Sequence, residues 1–381
     1  MLKLLRALFN PQSPLPKEVA YYQQVLDDSS SWLISSQLYF LLKKEHRLHL
    51  TPLFFQKTLK VRSMHHMIIS AMIAKEMERL LACFERLDIN VIPFKGPFFA
   101  KKYFGSLSAR STSDLDILIR PQQMNAAVEA IQSLGFSSDV KYEPEHFHQV
   151  FHKFIPTYHF DLCLELHWHV LRKETSSLNI DQVWATAVPL AGYQHVMELS
   201  DLRMFYLICL HGWNHEFNNW KYFIDIIQMI HHLGRELDYP ELFDLARRER
   251  TYRRIVHSLS LVYKAFPHLH ETAPLPLPQS AGKHLWWSER IIGTDRGSEP
   301  TWPMFVRRMR QMDDYDTLQQ RWTFFKREIL PDPVTMSRIM HSTGQQQSRF
   351  VQYFWLYVHR FINLFDTQKF TLKKRPPERE K

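Results

Sequence analysis

Cysteine, glycine and long apolar runs are all scarce in this sequence. Its 381 residues include only 10 glycines and three cysteines, Cys83, Cys163 and Cys209, which lie far apart. No CxxC pair occurs, which argues against a disulfide framework or a cysteine zinc site and favours a reducing compartment, the cytoplasm. No apolar run approaches the ~18 residues of a membrane span. The apolar, basic segment 1–9 stops before Pro11, too early for a signal peptide.

Several common catalytic signatures are also missing. The sequence has no Walker A loop, no dinucleotide-binding glycine pattern and no Gly-x-Ser-x-Gly. These absences argue against a P-loop NTPase, a Rossmann dehydrogenase and an α/β-hydrolase. Histidines crowd residues 146–169, but their spacing fits no standard zinc ligand set.

The charge balance is basic. Lys and Arg number 48 against 39 Asp and Glu, for a net charge of +9. Such a surface suits an acidic partner, whether nucleotide, nucleic acid, anionic glycan or membrane surface, and the charge alone does not choose among them. The aromatic residues do not interleave with a basic run, so sequence-specific nucleic-acid binding is not favoured.

Hydrophobic periodicity predicts a helix-rich chain with a small sheet. Helical spacing covers residues 18–48 and 53–87, including a Met-rich stripe at 64–77 that we expect to be core. The predicted strands are 91–94, 115–119, 149–155 and 158–170, and helices return after residue 180. We therefore expect the following regions: an N-terminal helical region (1–87), an α/β core (88–170), a helical substrate- or nucleotide-binding region (171–270), a C-terminal helical region (271–372) that begins with a Pro-rich stretch at 271–280 and includes a helix at 348–365, and a disordered tail (373–381).

Two aspartates lie on one predicted strand. Asp114 and Asp116 are two residues apart, so they share a face at a spacing of roughly 6.5–7 Å. Two neighbouring carboxylates repel each other, and a divalent cation between them removes that cost. Oxygen ligands of this kind suit Mg²⁺. The pair therefore predicts a magnesium site.

A later strand offers a third carboxylate, which would complete a two-metal phosphoryl-transfer site. Glu165 and Asp161 both lie on the polar face of strand 158–170, and we favour Glu165. His167 shares that face and is expected to orient Glu165 or to contact substrate. His211 and His215 are one helical turn apart without an intervening Glu, so we interpret them as packing or supporting residues.

Basic residues precede the acidic pair. Lys95 and Gly96 follow a strand and open a helix, whose free N–H groups and positive end suit a triphosphate. Arg110 stands four residues before Asp114 and is expected to bind phosphate bidentately.

Taken in order, these segments resemble the polymerase-beta-like nucleotidyltransferase superfamily, and more closely a bacterial family of uncharacterised nucleotidyltransferases. The resemblance spans roughly residues 55–235. The matching residues are Lys95-Gly96, Tyr103, Arg110-Ser111-Thr112-Ser113-Asp114-Leu115-Asp116-Ile117-Leu118, Glu165-Leu166-His167-Trp168, His211 and Asp225-Ile226-Ile227.

The resemblance implies an α+β fold with a small mixed-sheet nucleotidyltransferase core flanked by helical regions. It implies Mg²⁺-dependent transfer of a nucleoside monophosphate from an NTP to an unidentified acceptor, whether small molecule, glycan or peptide. The implied residues are Asp114, Asp116 and Glu165 for metal and catalysis, Lys95, Gly96, Arg110 and Ser113 for the nucleotide, and His167 and His211 in support.

One position departs from the superfamily. Pro97 follows Gly96 where the superfamily carries Gly-Gly or Gly-Ser, so no serine hydroxyl assists phosphate binding. This departure leaves open a catalytically inactive nucleotide-binding or scaffold member. The positive charge leaves open an RNA-directed nucleotidyltransferase.

Overall fold

The computed structural model describes residues 1–28, 31–138, 147–277, 287–292 and 301–330. The chain divides into two compact units, Met1–Gly293 and Thr294–Lys381. The predicted helix at 348–365 and the predicted disordered tail at 373–381 lie outside the described residues, as does the end of the Pro-rich stretch 271–280.

A four-stranded sheet lies in the first unit. Its strands are β1 (Val91–Pro93), β2 (Asp114–Ile119), β3 (His148–Ile155) and β4 (Phe160–His167), in the order β1-β2-β4-β3. The central pair β2 and β4 is parallel, while β1 pairs with β2 and β3 pairs with β4 antiparallel. The predicted α+β class with a small mixed sheet is therefore confirmed.

Helices precede, interrupt and follow this sheet. Up to β3 they are α1 (Leu2–Phe9), α2 (Val19–Asp27), α3 (Ser31–Lys44), α4 (Leu53–Arg86), α5 (Gly96–Phe104) and α6 (Met124–Ser133). After β4 the elements of the first unit are α7 (Ile180–Ala185), the two-stranded sheet of β5 (Val188–Pro189) and β6 (Met197–Glu198), α8 (Asp201–Asn214), α9 (Trp220–Leu233), α10 (Tyr239–Arg248), α11 (Tyr252–Ala265) and α12 (Leu269–Thr272). None of the described helices is long and apolar enough to cross a membrane.

The second unit contributes two described helices, α13 (Thr301–Gln311) and α14 (Leu318–Ile329). Thr317 begins α14 with a capping box. Its side chain accepts a hydrogen bond from the backbone of Gln320, whose own side chain accepts one from the backbone of Thr317.

The sheet is apolar on one face and polar on the other. Leu115 and Ile117 of β2, with Leu164 and Leu166 of β4, are fully buried in a core against α4. Side chains alternate along a strand, so the residues between them point to the opposite face. That alternation is what brings the acidic residues of β2 and β4 together on one side.

Helix α4 has the length that its periodicity predicts, but the Met-rich stripe at 64–77 is not all core. Met72 and Met77 are buried, whereas Met64, Met67 and Ile68 are about half exposed. Successive residues of a helix are rotated by about 100°, so Met77 and Met64 point in nearly opposite directions. The apolar residues between 64 and 77 therefore belong to two different faces of α4, although they are spaced by threes and fours.

The helical region after the sheet is built around α8 and α9, which pack side by side. Both helices start at a capping residue: the Ser200 side chain accepts a hydrogen bond from the Arg203 N–H, and Asn219 accepts one from the Lys221 N–H. Helix α9 also packs against α3 and α5. This packing brings one face of α9 to the loop that leads into β2.

Candidate active site

The parallel pairing of β2 and β4 assembles an acidic cluster. Asp116 lies opposite Glu165, and Leu118 lies opposite His167. Atoms of Asp116, Glu165 and His167 that could hold a metal all lie within 4.8 Å of one another. The predicted strand 158–170 is the shorter strand β4, which pairs beside β2, and His167 is one of the three residues of the cluster.

Lys95 supplies the positive charge of this cluster. Its Nζ lies 2.8 Å from Oδ1 of Asp116, whose side chain is 1% exposed. His167 Nε2 lies 3.4 Å from the same oxygen and 3.2 Å from Oε2 of Glu165. The Lys95 ammonium and the His167 ring thus face two carboxylates in a buried setting, where charges interact strongly.

The mutual attraction outweighs burial for each of these groups. Burial disfavours the charged form of Asp116, but Lys95 and His167 lower its pKa below the ordinary value. Burial likewise opposes the ionised form of Glu165, but the hydrogen bond from His167 and its charge lower the pKa to about 2. Burial works against protonated His167, yet the two carboxylates raise its pKa. Asp116 and Glu165 are therefore ionised at neutral pH when no metal is bound, and their charges favour the protonated form of His167.

Neither Asp114 nor Asp161 belongs to the three-residue cluster that the described part of the chain forms. Asp114 shares the strand face, and its Oδ1 accepts a hydrogen bond of 3.2 Å from the Ser113 hydroxyl, but it is not one of the cluster's three members. Asp161, the alternative third carboxylate, pairs with the exposed His152 at 2.9 Å. The geometry therefore favours Glu165 over Asp161 and brings in His167 where we expected Asp114.

Helix α5 starts directly beside the cluster. Lys95 is its N-cap residue without a side-chain capping bond, and Gly96 follows at φ +71. This left-handed conformation favours glycine. A Cβ on Gly96 would lie 3.5 Å from the carbonyl oxygen of Asp114. There is room for that Cβ, so the positive φ rather than a close approach favours glycine here, and Pro97 occupies the helix start, as predicted.

Arg110 is paired with a carboxylate of α9. Its Nε and Nη2 donate to the two carboxylate oxygens of Asp225 on α9, at 2.7 and 2.8 Å. Its guanidinium also lies over the ring of Phe99, 5.0 Å from the centroid. The bidentate geometry that we expected for a phosphate is therefore satisfied by a carboxylate 115 residues later in the chain.

Lys221 is a residue of this site that sequence reasoning missed. It stands one turn before Asp225 on α9, so the two share a helix face. Burial, with the nearby charge of Arg110, lowers the pKa of Lys221 to about 8, although Asp114 and Asp225 act in the opposite direction. Among the described residues its ammonium group has no hydrogen bond or ion pair. No local pattern marks this lysine, because only the packing of α9 brings it near Asp114.

His211 lies in the same environment, on α8. Burial, then the charges of Lys95 and of His215, lower its pKa well below the ordinary value. Its ring is 4.5 Å from that of His215 and 5.3 Å from that of Tyr222. His211 is therefore a neutral ring packed beside the cationic side of the site.

The cluster has spare capacity for a cation. Oδ2 of Asp116 and Nδ1 of His167 are buried and have no hydrogen-bond partner among the described residues. Buried polar atoms without a partner are costly, and a bound ion would remove that cost for the carboxylate. Carboxylate oxygens suit Mg²⁺ or Mn²⁺, and an imidazole nitrogen is a further donor. The donor set fits a divalent cation.

Comparison with known families supplies an independent result. A family model described as an uncharacterised nucleotidyltransferase matches residues 34–267, more than half of the chain. The matched range includes the acidic cluster, Lys95, Arg110 and both helices α8 and α9. No curated protein and no solved structure matches the chain.

Proposed function

The chain belongs to the family of uncharacterised nucleotidyltransferases, and on that premise we propose that it transfers a nucleoside monophosphate from an NTP to an acceptor at the cluster of Asp116, Glu165 and His167. The observation that carries the proposal is the register of β2 and β4, which sets Asp116 opposite Glu165 with the Lys95 ammonium beside them. The site joins carboxylates for a metal with cations for a triphosphate, which nucleotidyl transfer requires.

The carboxylates of Asp116 and Glu165 would hold one or two Mg²⁺ ions, with Asp114 or His167 as a further donor. Bound Mg²⁺ supplies charge neutralisation for the α-phosphate and for the pyrophosphate leaving group. Glu165 contributes negative charge rather than proton transfer, because a carboxyl group with a pKa of about 2 is a weak base at neutral pH.

The cationic residues receive the triphosphate in this proposal. Lys95 and the uncapped N-terminus of α5 lie on one side of the acidic residues, and Lys221 approaches from α9. Lys221 has no partner of its own in the described part of the chain, so its charge is available for a ligand. Arg110 holds the loop into β2 through Asp225 and is a positioning residue.

Pro97 favours one competing function, a nucleotide-binding member that does not turn over. Proline has no N–H to donate, so the helix start offers one phosphate-binding donor fewer than a glycine or serine there. Such a protein would bind NTP with metal and release no pyrophosphate.

One assay separates the two functions. The full chain is incubated with each labelled NTP, with Mg²⁺ or Mn²⁺ and with a cell extract as the source of acceptor. We expect metal-dependent labelling and pyrophosphate release, both lost in Asp114→Asn/Asp116→Asn and kept in Asp161→Asn. Calorimetry of NTP binding runs in parallel. Nucleotide binding without labelling for every NTP and extract favours the non-catalytic member, and binding that ignores both metal and the double substitution refutes the proposed site.

A further inference from the structure

The first two-thirds of α4 carries an exposed apolar stripe that the nucleotidyltransferase site does not use. Five of its apolar side chains are 48–68% exposed: Leu53, Val61, Met64, Met67 and Ile68. At about 100° per residue they all lie within about 120° of the helix circumference. They therefore form one continuous face, and contiguous apolar surface of this kind marks an interaction site.

The same face is basic. Lys57, Lys60 and Lys75 are exposed and fall within the angular limits of the stripe. From His46 to Lys75 the sequence contains no Asp or Glu. The first acid of α4, Glu76, is buried and bound to Lys153 at 2.7 Å. No carboxylate of α4 up to Lys75 therefore neutralises these lysines.

A tryptophan borders the stripe. Trp32 of α3 is about 40% exposed, and its ring lies 5.7 Å from that of His65 on α4. The guanidinium of Arg62 lies 5.3 Å from the Trp32 ring and donates to the Ser31 hydroxyl at 3.0 Å, which fixes the indole in place. Tryptophan is enriched where proteins meet the interface of a bilayer, because the indole is apolar with one polar group.

We propose that this face of α4, from Leu53 to Lys75 with Trp32 beside it, docks on an anionic membrane surface. Lysines attract acidic headgroups while the Met, Val, Ile and Leu side chains enter the boundary between headgroups and acyl chains. The face from Leu53 to Lys75 is about 33 Å long, enough to touch many lipids at once. Charge argues against a second copy of this chain, because Lys57 and Lys60 would meet other cations with no acid between them.

One hydrogen bond connects the border of this face to the loop that leads into the candidate active site. The hydroxyl of Ser111, in the loop that leads to Asp114, donates to the backbone carbonyl of Leu33, the neighbour of Trp32. Membrane docking is a separate property, because it requires neither nucleotide nor metal and is tested without them.

The test is sedimentation of the full chain with vesicles of phosphatidylcholine alone or mixed with phosphatidylglycerol. We expect binding to the anionic vesicles only, weakened by salt. Lys57→Glu/Lys60→Glu should weaken that binding about tenfold or more. Arg247→Glu/Arg248→Glu changes the net charge equally at exposed positions on α10, and it should weaken binding no more than about twofold.

A second pair of variants tests the apolar contribution. Met64→Gln/Ile68→Gln keeps the charge, changes only half-exposed side chains and should also weaken vesicle binding, while its thermal unfolding stays that of the wild type. Three results would overturn the proposal: no wild-type binding at low salt, equal loss in both charge-reversal variants, or a dimer in sedimentation velocity that Met64→Gln/Ile68→Gln dissociates. The last result would assign the face to a second copy.

Discussion

Two buried ion pairs lie on the two sides of the site, and they differ in what each leaves unsatisfied. Between the sheet and α9, Arg110 and Asp225 meet in a bidentate contact that uses both carboxylate oxygens, with side chains 3% and 2% exposed. On the sheet, Lys95 contacts only Oδ1 of Asp116, and Oδ2 has no hydrogen-bond partner within the described residues. Both pairs are buried, and they differ in whether the carboxylate keeps an oxygen atom that could still bind a ligand.

The two pairs are also expected to differ in what they contribute, one to stability and the other to metal binding and transfer. Burial opposes the charge of Arg110 and of Lys95, and in each case a facing carboxylate more than offsets it, so both pKa values are raised. Removing one partner of a satisfied pair strands a buried charge. Removing Asp116 instead leaves Glu165 and Asp114 near Lys95. Substitutions in the first pair should therefore act on stability, and substitutions in the second on metal binding and transfer.

The largest expected effect is loss of activity on Asp116→Asn. The amide loses the negative charge that faces the metal, so transfer in the labelled-NTP assay should fall about a thousandfold. The urea midpoint should fall less than for Asp225→Asn, because two other carboxylates remain beside Lys95. Asp161→Asn, on β4 but outside the cluster, is the matched control and should retain wild-type transfer. Substantial activity in Asp116→Asn would mean that the Lys95–Asp116 pair does not differ from the Arg110–Asp225 pair in its role in catalysis.

Asp225→Asn should lower the stability of the fold more than Asp116→Asn does. It leaves the Arg110 guanidinium buried without its counter-charge, which costs about 3–5 kcal/mol of the free energy of unfolding. Urea unfolding followed by circular dichroism measures it. Asp244→Asn removes a comparable but exposed contact, with Arg247 at 2.7 Å, and should change stability little. Equal effects of the two substitutions would mean that the Arg110 pair has no special structural role.

A smaller effect is expected from Lys221→Met, which keeps most of the side-chain volume and removes the charge. Metal-dependent NTP binding should weaken about tenfold, as for the loss of one charged phosphate contact. Stability should hold or rise slightly, because the lysine is partly buried without an ionic partner in the described part of the chain. Calorimetry gives the affinity, and Lys221→Arg should restore part of it. An unchanged affinity of Lys221→Met for NTP would mean that Lys221 of α9 does not contact the nucleotide.

The smallest effect concerns acid stability without metal. Glu165 has a pKa of about 2 in the folded protein against an ordinary 4.5. Its contribution to stability is therefore present above about pH 4.5 and is lost as the pH falls through about 2. With chelator present, Glu165→Gln should lower the free energy of unfolding at neutral pH by about 1–2 kcal/mol, after allowing for solvent screening.

The difference between Glu165→Gln and wild type should shrink steadily as the solution is acidified. Glu129→Gln, an exposed carboxyl on α6, controls for the loss of a negative charge. A difference that stays constant down to pH 2 would mean that the charge of Glu165 is not what stabilises the fold.

Local patterns predicted much of this site. Alternation along β2 and β4 placed Asp116, Glu165 and His167 on one face, and the Lys95-Gly96 turn marked the start of α5. These predictions succeeded because strand alternation and helix initiation depend on a few adjacent residues.

The remaining features depend on packing between distant segments. The sequence around Arg110 predicts a guanidinium that binds an anion, but it does not tell a phosphate from the carboxylate of Asp225. Lys221 joins the site only because α9 packs on α3 and α5. Which methionines between residues 64 and 77 are buried depends on which face of α4 packs against the core. In each case the outcome depends on which distant segment packs against the residue, and the residues adjacent in sequence do not specify that segment.

The contact between Arg110 and Asp225 also determines when the loop into β2 can become buried during synthesis of the chain. The two residues are 115 positions apart, which at ordinary rates of synthesis is a delay of roughly 6–23 s. Through that interval the guanidinium has no carboxylate to meet, and burying it alone would be costly. The loop into β2 should therefore stay hydrated on the ribosome until α9 emerges. A chain that stops before residue 220 should make the sheet and still lack a closed site.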